Sequence, residues 1–143
     1  GGLHGVVAHS MGAAATCLAV TRGLQLETAV FVAPAPSVRE APYRFARHLH
    51  VPRDVMGRMV RRLESRNDMS FAELQRHVFD GAEKLALLVY HDKRDPDVPL
   101  LDGEMLEALG AEFRATEGLG HRRILRHAGV IEGTVAYLES SRP

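Results

Sequence analysis

Three short stretches hold the residues whose types and spacing could do chemistry. "AHSMG" at 8–12 sets Ser10 among small residues, directly after an apolar run. A serine there can sit on a sharp strand-to-helix turn, which needs small neighbours because the backbone reverses with little room for side chains. Such a turn lifts the hydroxyl above a sheet and aims the N–H of the next residue, Met11, at a developing oxyanion. The ordinary alternative is that Ser10 caps an Ala-rich helix. "YHDKRDPDVP" at 90–99 places Asp92, Asp95 and Asp97 after another apolar run. A carboxylate in such a loop can orient a histidine. Asp and Pro are also common turn residues, and the local pattern leaves all three aspartates open. "GLGHRRIL" at 118–125 presents His121 behind two glycines that let the backbone loop inward. Imidazole titrates near neutrality, which suits a general base.

Ser10, an aspartate and His121 appear in the order Ser…Asp…His, each just after an expected strand. That concordance points to a nucleophilic triad more strongly than any one stretch does. The other seven histidines read as structural: His48, His50 and His77 in helical sequence, His4, His9 and His91 within or beside strands, His127 in the terminal helical segment. No helical His-x-x-x-His pair and no cysteine pair offers a metal site, and no Gly-rich phosphate loop of the Walker or dinucleotide type occurs. No cofactor and no metal are expected.

The elements that must position these residues follow from apolar runs and their punctuation. "LHGVVAH" (3–9), "TAVFVAP" (28–34) and "KLALLVYHD" (84–92) read as buried strands, and "AEFRATEG" (111–118) as a short alternating one. Helices are expected from Met11 to about Gly23 and over "VPLLDGEMLEALG" up to Gly110. A further helical tail is expected from His121 to about Ser140, broken near Gly129. Prolines 34 and 36 end the second strand. Residues 37–80 have helical periodicity and no strand-like run; Pro42 and Pro52 suit helix starts, and Ser70 with Glu73 forms a capping pattern. The expected architecture is an α/β chain with a mostly parallel sheet and flanking helices. It divides into 1–36, a helical insertion at 37–80, and 81–143.

Composition narrows the class. The chain has 143 residues, 45% hydrophobic and 25% charged, with 18 basic and 18 acidic side chains. It is long enough for one domain with a real core, and its balanced charge argues against nucleic acid as a partner. The insertion is locally basic, with arginines at 39, 44, 47, 53, 58, 61, 62 and 66. That pattern reads as a solvated helix face, or as a surface favouring an anionic substrate group. No run approaches the ~20 apolar residues of a membrane span. The lone Cys17 excludes an internal disulfide framework and fits a reducing, cytoplasmic setting.

Taken together, these stretches resemble the α/β-hydrolase superfamily across essentially the whole chain. "AHSMGAAAT" is similar to the G-H-S-M-G elbow of lipase- and esterase-like members, with Ala8 in place of the first glycine. "HDKRDPDVP" is similar to their H-G-x-x-D-x-x-V-P acid loop, and "GLGHRRIL" to the histidine loop before their last helix. The resemblance implies Ser10 as nucleophile, Asp95 rather than Asp92 or Asp97 as the orienting acid, and His121 as base. It implies Met11 as one oxyanion donor and 37–80 as a helical cap covering the site. Phe45, Leu49, Val55, Met56, Met59 and Val60 would form the cap's own packing face or line an acyl pocket. The implied activity is hydrolysis of a carboxylic ester or related small acyl substrate through an acyl-enzyme. The fold also hosts thioesterases, peptidases, C–C hydrolases and cofactor-free haloperoxidases. Family members carry strands before the elbow, including the source of the second oxyanion donor. The chain is therefore expected to be the C-terminal half of a hydrolase, with its first strand an open edge suited to self-association. A catalytically incompetent fragment or a binding relative of the fold is the competing expectation.

Overall fold

A computed structural model describes residues 3–35, 38–39 and 41–141. In chain order the elements are β1 (Gly5–His9), α1 (Met11–Thr21), β2 (Thr28–Val32), α2 (Ala41–His48), α3 (Arg53–Asn67) and α4 (Phe71–Arg76). They continue with β3 (Ala86–Asp92), α5 (Leu100–Glu107), β4 (Glu112–Thr116), α6 (Gly120–Arg123) and α7 (Ala128–Ser140). The chain folds as two units, one formed by Gly1–Pro36 with Phe79–Pro143 and the other by Ser37–Val78.

The first unit is built on one parallel sheet of order β1-β2-β3-β4. All five residues of β2 and the last six of β3 are buried. These strands are central and covered on both faces, which is why they read as continuous apolar runs instead of alternating ones. Val30 and Val32 of β2 point the same way as Leu88 and Tyr90 of β3. They form a core with Ile124 and with Val130 of α7, flanked by Leu119, Tyr137 and Leu138. On the opposite face of β3, His91 lies against α5, where a Cβ on Gly103 would fall 2.5 Å from its Nδ1. β1 is an edge strand, with Val7 53% exposed.

Helix α1 follows β1 at once, and its Ala13, Ala14, Cys17 and Val20 are buried. Burial pushes the Cys17 thiol up to about 12, so it is a packing residue, not a reactive one. The tail departs from the sequence reading. The helix break falls at His127 (φ −77°, ψ 123°), while Gly129 lies within the first turn of α7. Ile124 is fully buried and closes a short 3-10 turn in which the His127 N–H donates to its carbonyl. Core packing, not the glycine, therefore sets the break.

The second unit is helical. Pro52 stands directly before α3, Pro42 lies in the first turn of α2, and the Ser70 hydroxyl accepts from the Glu73 N–H at 3.0 Å to cap α4. Met56 is buried, whereas Leu49, Val55 and Met59 are exposed. Pro36 as a strand stop and the side chain of Phe45 lie outside the described residues.

The approach of α5 to β3 makes Gly103 sensitive. Alanine normally gains about 1 kcal/mol over glycine inside a helix. Here its methyl would meet the His91 ring and Phe113 Cε2 at 2.5 and 3.0 Å, an overpacking cost of about 1–3 kcal/mol. Gly103→Ala should therefore lower the urea-unfolding midpoint. An unchanged or raised midpoint would contradict this packing.

Candidate active site

At the junction of β1 and α1, Ser10 adopts φ 55° and ψ −124°. A non-glycine residue there is strained by about 1–3 kcal/mol, and backbone bonds hold it in place. Its N–H donates to the Val32 carbonyl at 3.1 Å, and its own carbonyl accepts from the Ala13 and Ala35 N–H groups at 3.2 and 3.1 Å. The reversal has room because Ala8 and Gly12 face each other; even a Cβ on Gly12 would sit 3.6 Å from that of Ala8. Alanine at the first motif position is thus accommodated. The Ser10 side chain makes no capping bond to α1. Its Oγ lies instead 3.1 Å from His121 Nε2. The Met11 N–H follows at the first helical position, one of the donors that a helix start leaves unsatisfied by its own carbonyls.

At the end of β3 the three aspartates separate into three environments. Asp95 Oδ2 lies 2.8 Å from His121 Nδ1, and its Oδ1 accepts from the Asp97 and Val98 N–H groups at 2.8 and 2.9 Å. Its side chain is fully buried. With both oxygens bonded and no water contact, Asp95 is geometrically fixed as an acceptor for the imidazole N–H. Asp97 is exposed and contributes only its N–H to Asp95. Asp92 points inward and never meets His121. It accepts from Thr116 Oγ1 and the Leu119 N–H on one oxygen (2.8 and 2.9 Å), and from the Arg94 and Gly118 N–H groups on the other (3.0 and 3.2 Å). Burial alone would raise its pKa, but these bonds outweigh it and lower the group from 3.8 to about 2.

His121 is held from several sides. Gly118 (φ 81°) and Gly120 (φ 64°) take backbone conformations that side chains disfavour, turning the chain so that the imidazole reaches both Asp95 and Ser10. Its backbone carbonyl accepts from His9 Nε2 at 2.9 Å, and the two rings lie 4.6 Å apart, tilted by 45°. Burial lowers the His9 pKa, and the nearby His121 charge adds to this, against the opposing hydrogen bond to the His121 carbonyl. His9 thus holds the His121 backbone from the β1 side. The sequence signal was its adjacency to Ser10, but strand histidines are usually structural. A second unforeseen support is His91, whose Nε2–H donates to the Val98 carbonyl at 3.1 Å and closes the acid loop beneath Asp95.

The structure thus brings together Ser10, Asp95 and His121, with Met11 beside them, and leaves Asp92 and Asp97 out. Asp95, Asp97 and His121 also place ligand atoms within 4.8 Å of one another. Binding a cation there would consume the Asp95–His121 bond. Beside His121 a cleft of about 460 Å³ opens between Pro96, Asp97 and Gly120, rimmed by Arg94, Arg122 and Arg123. Arg94 pairs with Glu117 at 3.0 Å, and Arg123 donates to the Gly118 and Leu119 carbonyls.

A parallel sheet carrying these loops at the carboxyl ends of β1, β3 and β4 is the α/β-hydrolase fold, and solved structures agree. An α/β-hydrolase enzyme from the metagenome of Mar Chica lagoon sediments, Morocco, superposes with a TM-score of 0.64 at 14% identity, over 95% of this chain and 61% of that one. The Pyrococcus furiosus esterase Pf2001 gives 0.61 at 12% identity, over 95% and 52%. A meta-cleavage product hydrolase from Pseudomonas fluorescens gives 0.58 at 16% identity, over 95% and 64%. The chain therefore spans between half and two thirds of the length of these structures. Residues 4–90 match the serine hydrolase family model, and the chain belongs to that family. No curated protein sequence matches it. No helix among the described residues is long and apolar enough to cross a membrane.

The low pKa of Asp92 has a stability consequence. Its folded pKa lies below the ordinary 3.8, so its contribution is complete above pH 3.8 and is lost as pH falls through about 2. The size is about 2 kcal/mol. Urea titrations from pH 5 to pH 2 should show a loss of that order in wild type that is missing in Asp92→Asn. Parallel pH profiles for the two would overturn the assignment.

Proposed function

We propose that Ser10, His121 and Asp95 act as nucleophile, base and orienting acid of a serine hydrolase that cleaves a carboxylic ester or related acyl substrate. The observation that carries this reading is the unbroken relay Asp95 Oδ2–His121 Nδ1, 2.8 Å, and His121 Nε2–Ser10 Oγ, 3.1 Å. Both distances lie within hydrogen-bond reach for proton transfer. With Nδ1–H donated to Asp95, Nε2 is left as the acceptor that takes the Ser10 proton while Oγ attacks the acyl carbon. The Met11 N–H, in line with the strained turn, stabilises the oxyanion of the tetrahedral intermediate. The imidazolium then passes its proton to the leaving group, giving an acyl-enzyme and the free alcohol. Water deprotonated by His121 attacks the ester carbonyl, and Ser10 Oγ leaves and recovers a proton. Asp95 stays ionised throughout and keeps the tautomer. The esterase named among the similar folds and the family match support acyl chemistry.

A fluorophosphonate probe followed by peptide mass spectrometry tests the reading. Ser10 should carry the label, Ser10→Ala should carry none, and Asp95→Asn should slow labelling by about 1,000-fold or more. Labelling that persists in Ser10→Ala, or wild-type protein that stays unlabelled, would sink the triad assignment.

A further inference from the structure

Asp92 is a carboxylate of the acid loop that the proposed reaction does not use, yet, unlike exposed Asp97, it is buried and makes four hydrogen bonds. Its partners fall into two groups. The Arg94 N–H belongs to the acid loop, one residue before Asp95. Thr116 Oγ1 and the Gly118 and Leu119 N–H groups belong to the end of β4 and the turn that delivers His121. One carboxylate therefore ties together the two loops whose residues meet in the Asp95–His121 bond.

The turn before His121 needs such a tie. Gly118 and Gly120 both sit at positive φ, and glycine gives little intrinsic preference for one conformation over another. No helix or strand spans 117–119, so the turn's own backbone does not specify where the imidazole lands. The tie comes from strand register instead. Asp92 lies directly opposite Thr116 in the β3–β4 pairing, which places the carboxylate under the turn. Each of its oxygens accepts two donors, three of them backbone N–H groups. An asparagine of the same shape offers one carbonyl oxygen. Its amide nitrogen would face either Leu119 N–H or Gly118 N–H, donor against donor.

We propose that Asp92 is a positioning residue for the triad, an anionic clasp that fixes the His121 turn against the acid loop so that Nδ1 meets Asp95. The proposal rests on the triad reading for its catalytic consequence, but its structural content stands on the clasp alone. A misplacement of about 1 Å in such a group costs about 100-fold in rate. Asp92 acts through His121 and touches no reacting atom.

The test compares wild type, Asp92→Asn, Thr116→Val and Thr116→Ser by proton NMR and by fluorophosphonate labelling rate. The His121 Nδ1–H shared with Asp95 should give a downfield proton resonance in wild type. In Asp92→Asn it should be lost or shifted upfield while the far-UV circular dichroism is unchanged, and labelling of Ser10 should slow about 100-fold. Thr116→Val, which removes one donor, should slow labelling about tenfold, and Thr116→Ser, which restores the hydroxyl, should recover it to within about twofold. If Asp92→Asn does not fold, the Thr116 pair decides alone. A wild-type resonance and labelling rate in Asp92→Asn, or equal rates in Thr116→Val and Thr116→Ser, would overturn the clasp. Wild-type protein that shows the resonance but takes no label would sink the hydrolase reading and leave the clasp to be judged on the NMR comparison.

Discussion

Everything in the first unit is arranged around a serine backbone that would not choose its own conformation. Ser10 at φ 55° persists only because its surroundings over-determine it. β2 supplies an acceptor for its N–H, the segment after β2 supplies a donor for its carbonyl, and α1 begins with a second donor. Each bond demands something of the sequence. Val32 must be the last residue of a buried strand in register with His9, and the chain beyond it must fold back so that Ala35 reaches Ser10. Ala33 does this at φ 47°, with its N–H on the Tyr90 carbonyl of β3. The strain at one residue is thus distributed over three strands.

The opposite side of the site is organised by charge, not by strain. Two buried carboxylates three residues apart, Asp92 and Asp95, take separate tasks because their donors differ. Asp92 receives four hydrogen bonds, none from an imidazole, while Asp95 spends one oxygen on its own loop and the other on His121. Both accept backbone N–H groups, Asp92 from Arg94, Gly118 and Leu119 and Asp95 from Asp97 and Val98. His121 is held by its neighbours as well, with His9 donating to its backbone carbonyl and His91 bracing the acid loop at Val98.

How far this was legible in the sequence varies with the range of the interactions. The strands were readable because a parallel sheet buried on both faces leaves continuous apolar runs, and the family match and similar folds agree with that architecture. Ser10 and His121 stood out because tight turns need small residues, and those needs are written locally. The choice of Asp95 was not local. Asp92, Asp95 and Asp97 look alike in a one-dimensional reading, and the resemblance of the loop to a known motif had to separate them. The inward turn of Asp92 depends on Thr116 lying opposite it across β3 and β4, a register that no window of neighbouring residues contains. The helix break at His127 in place of Gly129 has the same origin, since the burial of Ile124 is a property of the assembled core.

The strand pairings also differ in what they cost to form. Gly5 pairs with Thr28 and Leu88 with Glu112, partners 23 and 24 residues apart, whereas Thr28 pairs with Ala86, 58 residues away. The first two are strand–helix–strand halves, one leading β1 into Ser10 and the other carrying Asp95 and, just beyond β4, His121. Joining β2 to β3 closes the long excursion through 37–78, and chain statistics price the extra length at only about 0.8 kcal/mol. Five paired residues with both faces buried outweigh that easily. The length of the excursion is therefore nearly free to drift over evolutionary time, while the two halves it separates must meet in one register or the serine never encounters its histidine.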